Sequence, residues 1–170
     1  MVLVTYLSQT GHSKTYATWL SEALNADLIP FQSLKRKDVK KYRLIVFGSG
    51  VYMGRIRGIK KAKKMFVNQH ALYFACGGHL NDEKEIQKLI ESFFKGEEDS
   101  FYYLPGGLDY SKVKGPMKWM LTLVKTMIEK KKEKTEDELK MLDGFYHPTN
   151  FVDRIYIEPI LNAIKSIQSN

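Results

Sequence analysis

The sequence predicts an α/β chain with one parallel sheet covered by helices on both faces, and three observations carry that expectation. Short apolar strands alternate with segments of helical period through the N-terminal two-thirds of the chain. One strand, residues 43–49 (RLIVFGS), is continuously apolar, the pattern of a strand buried on both sides. The strands end in glycine- and hydroxyl-rich turns, where an open parallel sheet holds a ligand.

Residues 1–7 (MVLVTYL) form the first strand, with Val2, Leu3, Val4, Tyr6 and Leu7 apolar. The chain then turns through Ser8, Gln9, Thr10, Gly11, His12 and Ser13. It enters a helix from Lys14, where Tyr16, Ala17, Leu20, Ala23 and Leu24 recur at spacings of three and four. A strand that runs through such a turn into a helix aims free backbone N–H groups and the positive helix end at one point. That is an anion site, suited above all to phosphate. Three hydroxyls add uncharged donors, and Gly11 permits a left-handed turn. Bare helix capping by Thr10 or Ser13 is the plain alternative. With one glycine, the turn contains neither G-x-x-x-x-G-K-[ST] nor G-x-G-x-x-G. The chain's one cysteine, Cys76, lies elsewhere, so this is no cysteine phosphatase loop. Leu7 and Ser49 stand where a phospho-acceptor domain would place aspartates.

Residues 27–31 make a short second strand, and Pro30 assigns it to an edge, where a missing N–H does no harm. A charged connector, 32–42, leads to the third strand. The loop that follows, Gly50-Val51-Tyr52-Met53-Gly54-Arg55-Ile56-Arg57-Gly58, can lay a tyrosine and a methionine against a flat ring while its backbone meets the ring's polar edge. A plain glycine-rich turn with Tyr52 packed on the protein is the alternative. The next helix, 59–68, opens in a basic run of Arg55, Arg57, Lys60, Lys61, Lys63 and Lys64. A solvated face accounts for much of that run. The fourth strand, 71–75 (ALYFA), ends in Cys76-Gly77-Gly78-His79, where two glycines suggest backbone close to a ligand. Cys76 reads as a small buried residue before it reads as a redox nucleophile. His79 is either a ligand-facing donor or a loop histidine without a role. Asn81 opens a helix over 83–94 with Ile86, Leu89, Ile90 and Phe93 on one face, and 100–104 (SFYYL) is the fifth strand, ending in Pro105-Gly106-Gly107-Leu108.

Residues 109–149 are expected as an insertion and linker inside one domain spanning 1–170, before a closing helix from near Asn150. From Pro116, a favourable first helical residue, apolar positions recur at Met117, Met120, Leu121, Val124, Met127 and Ile128. Trp119 and Leu123 widen that face, and Lys118 and Lys125 lie opposite. Residues 112–134 hold eight lysines against two glutamates. A basic amphipathic helix with tryptophan suits a membrane surface, with Trp119, Met120 and Leu123 in apolar contact and the lysines toward headgroups. It equally suits core packing, a homodimer or a lid. Residues 135–148 read as a polar linker. Phe151, Ile155, Ile160, Ile164 and Ile167 give the closing helix its apolar side, with Pro159 in its middle.

At 170 residues and 44% apolar, the chain suits one domain with a substantial core. Its first residues form a strand with no basic flank, so no secretory signal is expected. One cysteine excludes an internal disulfide and fits a reducing cytoplasm. The net charge of +8 favours anionic partners without choosing among them. No nucleic-acid motif or stacking platform is evident, so no nucleic-acid partner is expected.

Ser8-x-Thr10-Gly11-x-Ser13, placed directly after the first strand, resembles the phosphate loop of the flavodoxin family. That resemblance implies a flavodoxin-like three-layer sandwich with a five-stranded parallel sheet in the order 2-1-3-4-5, here with a helical insertion after strand 5. It implies FMN at the carboxyl ends of strands 1, 3 and 4, with residues 8–13 around the phosphate. Gly50, Val51, Tyr52, Met53 and Gly54, and then Cys76, Gly77, Gly78 and His79, would adjoin the ring. SQTGHS, FGSGVYMGRIR, PGGLDYSK and KGPMKWM are similar to the menaquinone-dependent protoporphyrinogen dehydrogenase branch, although Val51 stands where that branch usually has a basic residue. The similarity implies an FMN-dependent oxidoreductase acting on protoporphyrinogen, a quinone or another lipophilic substrate, in the cytoplasm or at the inner face of the cell membrane. A flavodoxin-type electron-transfer protein without small-substrate turnover, served by a redox protein, is the alternative. Carriers of that kind are generally acidic, so the positive charge argues for the enzyme. FMN carries the redox chemistry itself, so neither a catalytic triad nor a metal is required.

Overall fold

Side-chain alternation along the central strands sets the architecture. In the computed structural model, which describes residues 1–80 and 82–169, the chain runs β1 (Val2–Leu7), α1 (His12–Leu24), β2 (Asp27–Pro30), α2 (Arg36–Val39), β3 (Leu44–Tyr52), β4 (Arg55–Ile56), α3 (Ile59–Met65), β5 (His70–Gly77), α4 (Glu83–Phe93), β6 (Phe101–Pro105), α5 (Pro116–Lys130), α6 (Glu136–Tyr146) and α7 (Glu158–Ser169). Strand β3 sends Leu44 and Val46 to one face and Ile45 and Phe47 to the other, all of them buried. Strand β5 repeats this with Leu72 and Phe74 against Tyr73 and Ala75. Each face therefore needs its own cover. Tyr16, Ala17 and Leu20 of α1 with Ile160 and Ile164 of α7 supply one layer, and Ile59, Ala62 and Leu89 of α3 and α4 supply the other.

The sheet is parallel in the order β2-β1-β3-β5-β6, the three-layer flavodoxin-like arrangement that the resemblance implies. Pro30 ends the edge strand β2, as its missing N–H requires.

Three segments differ from expectation. The loop after the third strand is a hairpin. Strand β3 continues through Gly50, Val51 and Tyr52, and the antiparallel β4 pairs Val51 with Ile56 and Tyr52 with Arg55. Met53 and Gly54, at φ +48° and +67°, make the two-residue turn with both residues left-handed that matches strand twist. Residues 135–148 contain helix α6 in place of a linker. Its start is a capping box, in which Glu138 N–H donates to Thr135 Oγ1 (3.3 Å) and Thr135 N–H donates to Glu138 Oε2 (3.0 Å). Pro159 lies in the first turn of α7, where its missing N–H is harmless, after a 3₁₀ turn at Arg154–Ile157. Asn81, expected to open the helix over 83–94, lies outside the described residues. Asp82 caps α4 by accepting Glu85 N–H at 2.9 Å.

The chain leaves β6 and returns to α7 through a narrow neck. Leu108 N–H donates to Thr149 Oγ1 (3.0 Å), Thr149 N–H to Leu108 O (2.9 Å), and Phe151 N–H to Gly106 O (3.0 Å). Gly107 permits this approach: its φ is +126°, and a Cβ there would sit 2.2 Å from Thr149 O. At the base of the neck the buried Tyr16 hydroxyl donates to Pro105 O (2.7 Å) and accepts Asp153 N–H (3.3 Å). Helices α5 and α6 form the loop beyond. Tyr110 stacks on Phe145 at 4.0 Å between centroids, and Gly144 lets α6 come down on Leu108 and Tyr110.

Candidate functional site

The carboxyl ends of β1, β3 and β5 open into one cavity of about 640 Å³, covered by α5 and by Met141 of α6. Twelve of the fifteen site residues expected from sequence line it. From the first turn come Gln9, Thr10, His12 and Ser13. Ser8 and Gly11 shape that turn instead. Ser8 Oγ accepts Gly11 N–H (3.1 Å), and Gly11, at φ +104°, is the N-cap of α1. The first bond of the helix runs from Thr15 N–H to Gly11 O (3.0 Å), so the amides of His12, Ser13 and Lys14 precede the helical ladder. The hydroxyls are already partly engaged: Thr10 Oγ1 lies 3.3 Å from His12 Nδ1, and Ser13 is buried beside Cys76.

The end of β3 contributes Gly50, Val51, Tyr52 and Met53, while Gly54 remains at the hairpin tip. The end of β5 contributes Cys76, Gly77, Gly78 and His79. The glycines there have separate reasons. A Cβ at Gly77 would meet the Tyr103 hydroxyl at 1.8 Å, so packing alone demands that glycine, whereas one at Gly78 would meet only the Leu108 side chain, at 2.6 Å. Gly50 borders open space within 4 Å, which leaves its backbone approachable from the cavity. Burial pushes the Cys76 thiol up to about 12, so it is no thiolate nucleophile.

Helix α5 roofs the cavity with Met117, Leu121 and Val124. Trp119 and Leu123, expected in apolar contact, face outward at 73% and 48% exposure. Met120 meets the Tyr52 hydroxyl at 3.8 Å. Lys125, expected toward headgroups or substrate, lies 4.0 Å over the Tyr146 ring and near Glu129.

Several lining residues lie outside the fifteen expected from sequence. Tyr110, Asp109, Glu85 and Met141 reach the cavity only because the neck and α4 bring them there. Arg57 does so through the hairpin, and its Nη1 donates to Gln9 Oε1 at 2.7 Å. The two lining carboxyls are pushed in opposite directions. Ser111 and Lys112, the latter 3.0 Å away, hold Asp109 below the usual carboxylate range. Burial raises Glu85 despite a hydrogen bond from the Tyr103 hydroxyl at 3.1 Å. His12 is lowered by burial and then by Lys112, which favours a neutral imidazole.

Residues 3–136 match the family described as the flavodoxin domain. The chain belongs to that family. Solved structures of similar fold include a flavodoxin from the domain Archaea, 17% identical, covering 65% of this chain and 87% of its own at a TM-score of 0.46. Oxidised flavodoxin 2 from Bacillus cereus is 14% identical, with 64% and 86% covered and a TM-score of 0.47. The Trp repressor binding protein from Bacillus subtilis is 18% identical, with 64% and 85% covered and a TM-score of 0.45. At such distances these likenesses say nothing about activity. No curated protein matches the sequence.

Membership in the flavodoxin domain family implies FMN binding and electron transfer in general terms. The residues present fit such a group. The cavity lies within the roughly 300–1,000 Å³ usual for cofactor sites. One end offers free helix-start amides, hydroxyls and Arg57, and the remainder is mostly apolar.

Glu85 yields a pH prediction. Its folded-state pKa is raised, so it favours the folded state below the ordinary glutamate range, and that advantage is lost as pH rises through the folded value. Glu85→Gln keeps an acceptor for Tyr103 and removes the buried charge. Its melting temperature should exceed that of the parent at neutral pH, with the gap closing in mild acid. A gap that is constant with pH would show that the carboxyl does not titrate as described.

Proposed function

We propose that the protein binds FMN in this cavity and works as an electron-transfer flavoprotein of the flavodoxin type. The observation that carries the reading is the meeting of three strand ends, the α1 turn and two tyrosines in one cavity. Gln9, Thr10, His12 and Ser13, with Arg57 behind Gln9, would hold the phosphate. Gly50, Tyr52, Tyr110 and residues 76–79 would line the ring, and Met117, Leu121 and Val124 would keep water from it. Bound FMN supplies the exchange of one or two electrons, and the protein sets its position and electrostatic surroundings. Arg57 and Lys112 favour an added negative charge beside the first turn, and Asp109 offsets Lys112.

Apoprotein titrated with FMN and with riboflavin tests this directly. FMN should bind far more tightly. Thr10→Ala combined with Ser13→Ala should erase most of that preference, because each charge-assisted hydrogen bond contributes about 1.5–3 kcal/mol. Equal affinity of the parent for the two flavins would remove the phosphate site.

The two faces of α5 favour a second reading, an FMN-dependent oxidoreductase acting on a lipophilic quinone or a protoporphyrinogen-like substrate from a membrane. Trp119, Leu123 and Met127 recur every fourth residue on the exposed side, directly behind the apolar cavity roof. Among the described residues no helix is long and apolar enough to cross a membrane, so any contact of 112–134 with lipid would be peripheral. Replacing Trp119, Leu123 and Met127 together by serine should abolish binding to anionic vesicles. It should also cut turnover of a vesicle-embedded menaquinone at least tenfold, while leaving a water-soluble naphthoquinone unaffected. Unchanged turnover of the embedded quinone would defeat this reading.

A further inference from the structure

The positive charge of this chain is not spread over it. Of 27 basic and 19 acidic residues, twelve and one fall within residues 35–64, leaving fifteen and eighteen elsewhere. That segment is α2, β3, the β3–β4 hairpin and α3. Its strand is buried and apolar, so the charge collects on α2 and the residues flanking it, on the hairpin and on α3, where every basic residue except Lys63 is exposed. The helices share one surface, since Arg36 Nη2 donates to Lys64 O at 3.3 Å. Lys63 alone among the described basic residues here makes an ion pair, with Glu97 at 2.7 Å, and this marks the border toward α4. At the other end Arg57 meets Gln9 beside the cavity. The patch thus runs from the cavity mouth down α3 to α2.

We infer that this α2–α3 face is the docking surface for an acidic redox protein that exchanges electrons at the cavity mouth; the redox character of that partner rests on the electron-transfer function proposed above. Like charges held together without counter-ions raise the potential over a surface, steer an oppositely charged partner and speed encounter. Such an interface suits a carrier, which must release its partner after each exchange. A bilayer is the poorer occupant. The exposed apolar stripe that would enter lipid, Trp119, Leu123 and Met127, lies on α5, whereas the large exposed hydrophobics bordering this patch are Met53 and Val67. Nucleic acid is poorer too. Phe31, Tyr42 and Phe66 are buried here and Tyr52 is turned to the cavity and Met120, which leaves the α2–α3 face itself no aromatic platform for bases, and helices of four and seven residues are too short to fill a groove.

The test measures association of the intact protein with an acidic plant-type ferredoxin by stopped flow and by biolayer interferometry. Lys60→Glu, Lys61→Glu and Lys64→Glu together should slow association at least tenfold at low ionic strength, and added salt should erase the difference. A control with the same charge change on α4 and beyond it, Lys84→Glu, Lys88→Glu and Lys95→Glu, should slow it less than twofold. A separate variant on α2, Lys35→Glu with Lys37→Glu and Lys40→Glu, should behave like the first. Equal losses in patch and control variants would mean net charge alone acts, and would overturn the proposal. So would unchanged ferredoxin association with lost binding to phosphatidylglycerol vesicles or to single-stranded RNA. Association is read without reference to the flavin. A protein that fails to take up FMN would therefore defeat the proposed function while leaving this outcome legible.

Discussion

One buried hydroxyl fixes the relation between the ligand turn and the roof above it. Tyr16 sits in the second turn of the helix whose first residues line the cavity, and its oxygen joins Pro105 to Asp153, the two ends of the excursion that carries α5 and α6. The buried Pro105 carbonyl would cost about 1–3 kcal/mol if left unpaired. Helix α1 therefore sets the turn and the neck together as a rigid body. The remaining neck bonds, between Leu108 and Thr149 and between Gly106 and Phe151, then need only continue that alignment.

The cavity gains its character from the same economy of placement. Parallel strands must all end at one edge, so turns far apart in sequence meet there without specific attraction between them. Charge is then distributed by neighbours. Lys112 and Asp109 satisfy one another at the rim, Arg57 is held to Gln9, and Glu85 accepts the Tyr103 hydroxyl. The result is a mostly apolar chamber with polar groups gathered at the first turn. The overall positive charge arises largely on the α2–α3 face, outside this chamber, so it bears on encounter more than on the tuning of anything held inside.

How much of this could be read from the sequence follows from how local each cause is. The continuous apolar run of β3, the proline in β2 and the SQTGHS turn are local; the first two pointed to a covered parallel sheet with β2 at its edge, and the turn, through the resemblance it carries, to the sheet order and to most of the cavity floor. Helix α6 was hidden because Gly144 and Pro148 look like linker residues, although Thr135-x-x-Glu138 is a capping signature that was present in the sequence. The β3–β4 hairpin was hidden because its turn uses Met53 where asparagine or glycine would have announced a left-handed residue. The facing of Trp119 could not be read at all. On a helix apolar on most sides, only the tertiary contact of Met117, Leu121 and Val124 with the cavity decides which stripe turns outward. Gly77 shows the reverse case, since a glycine that suggests a ligand is here required by the Tyr103 ring.

The roles proposed for the first turn, the strand ends and α5 all depend on FMN being held in the strand-end cavity. Backbone amide mapping of isotopically labelled apoprotein on addition of FMN tests it most directly. Shifts should concentrate at residues 9–13, 50–53, 57, 76–79 and 107–110 and on the inner face of α5, with α2 and the outer face of α3 silent. Saturable binding whose shifts fall mainly on the α2–α3 face, or no shifts at saturating FMN, would contradict it.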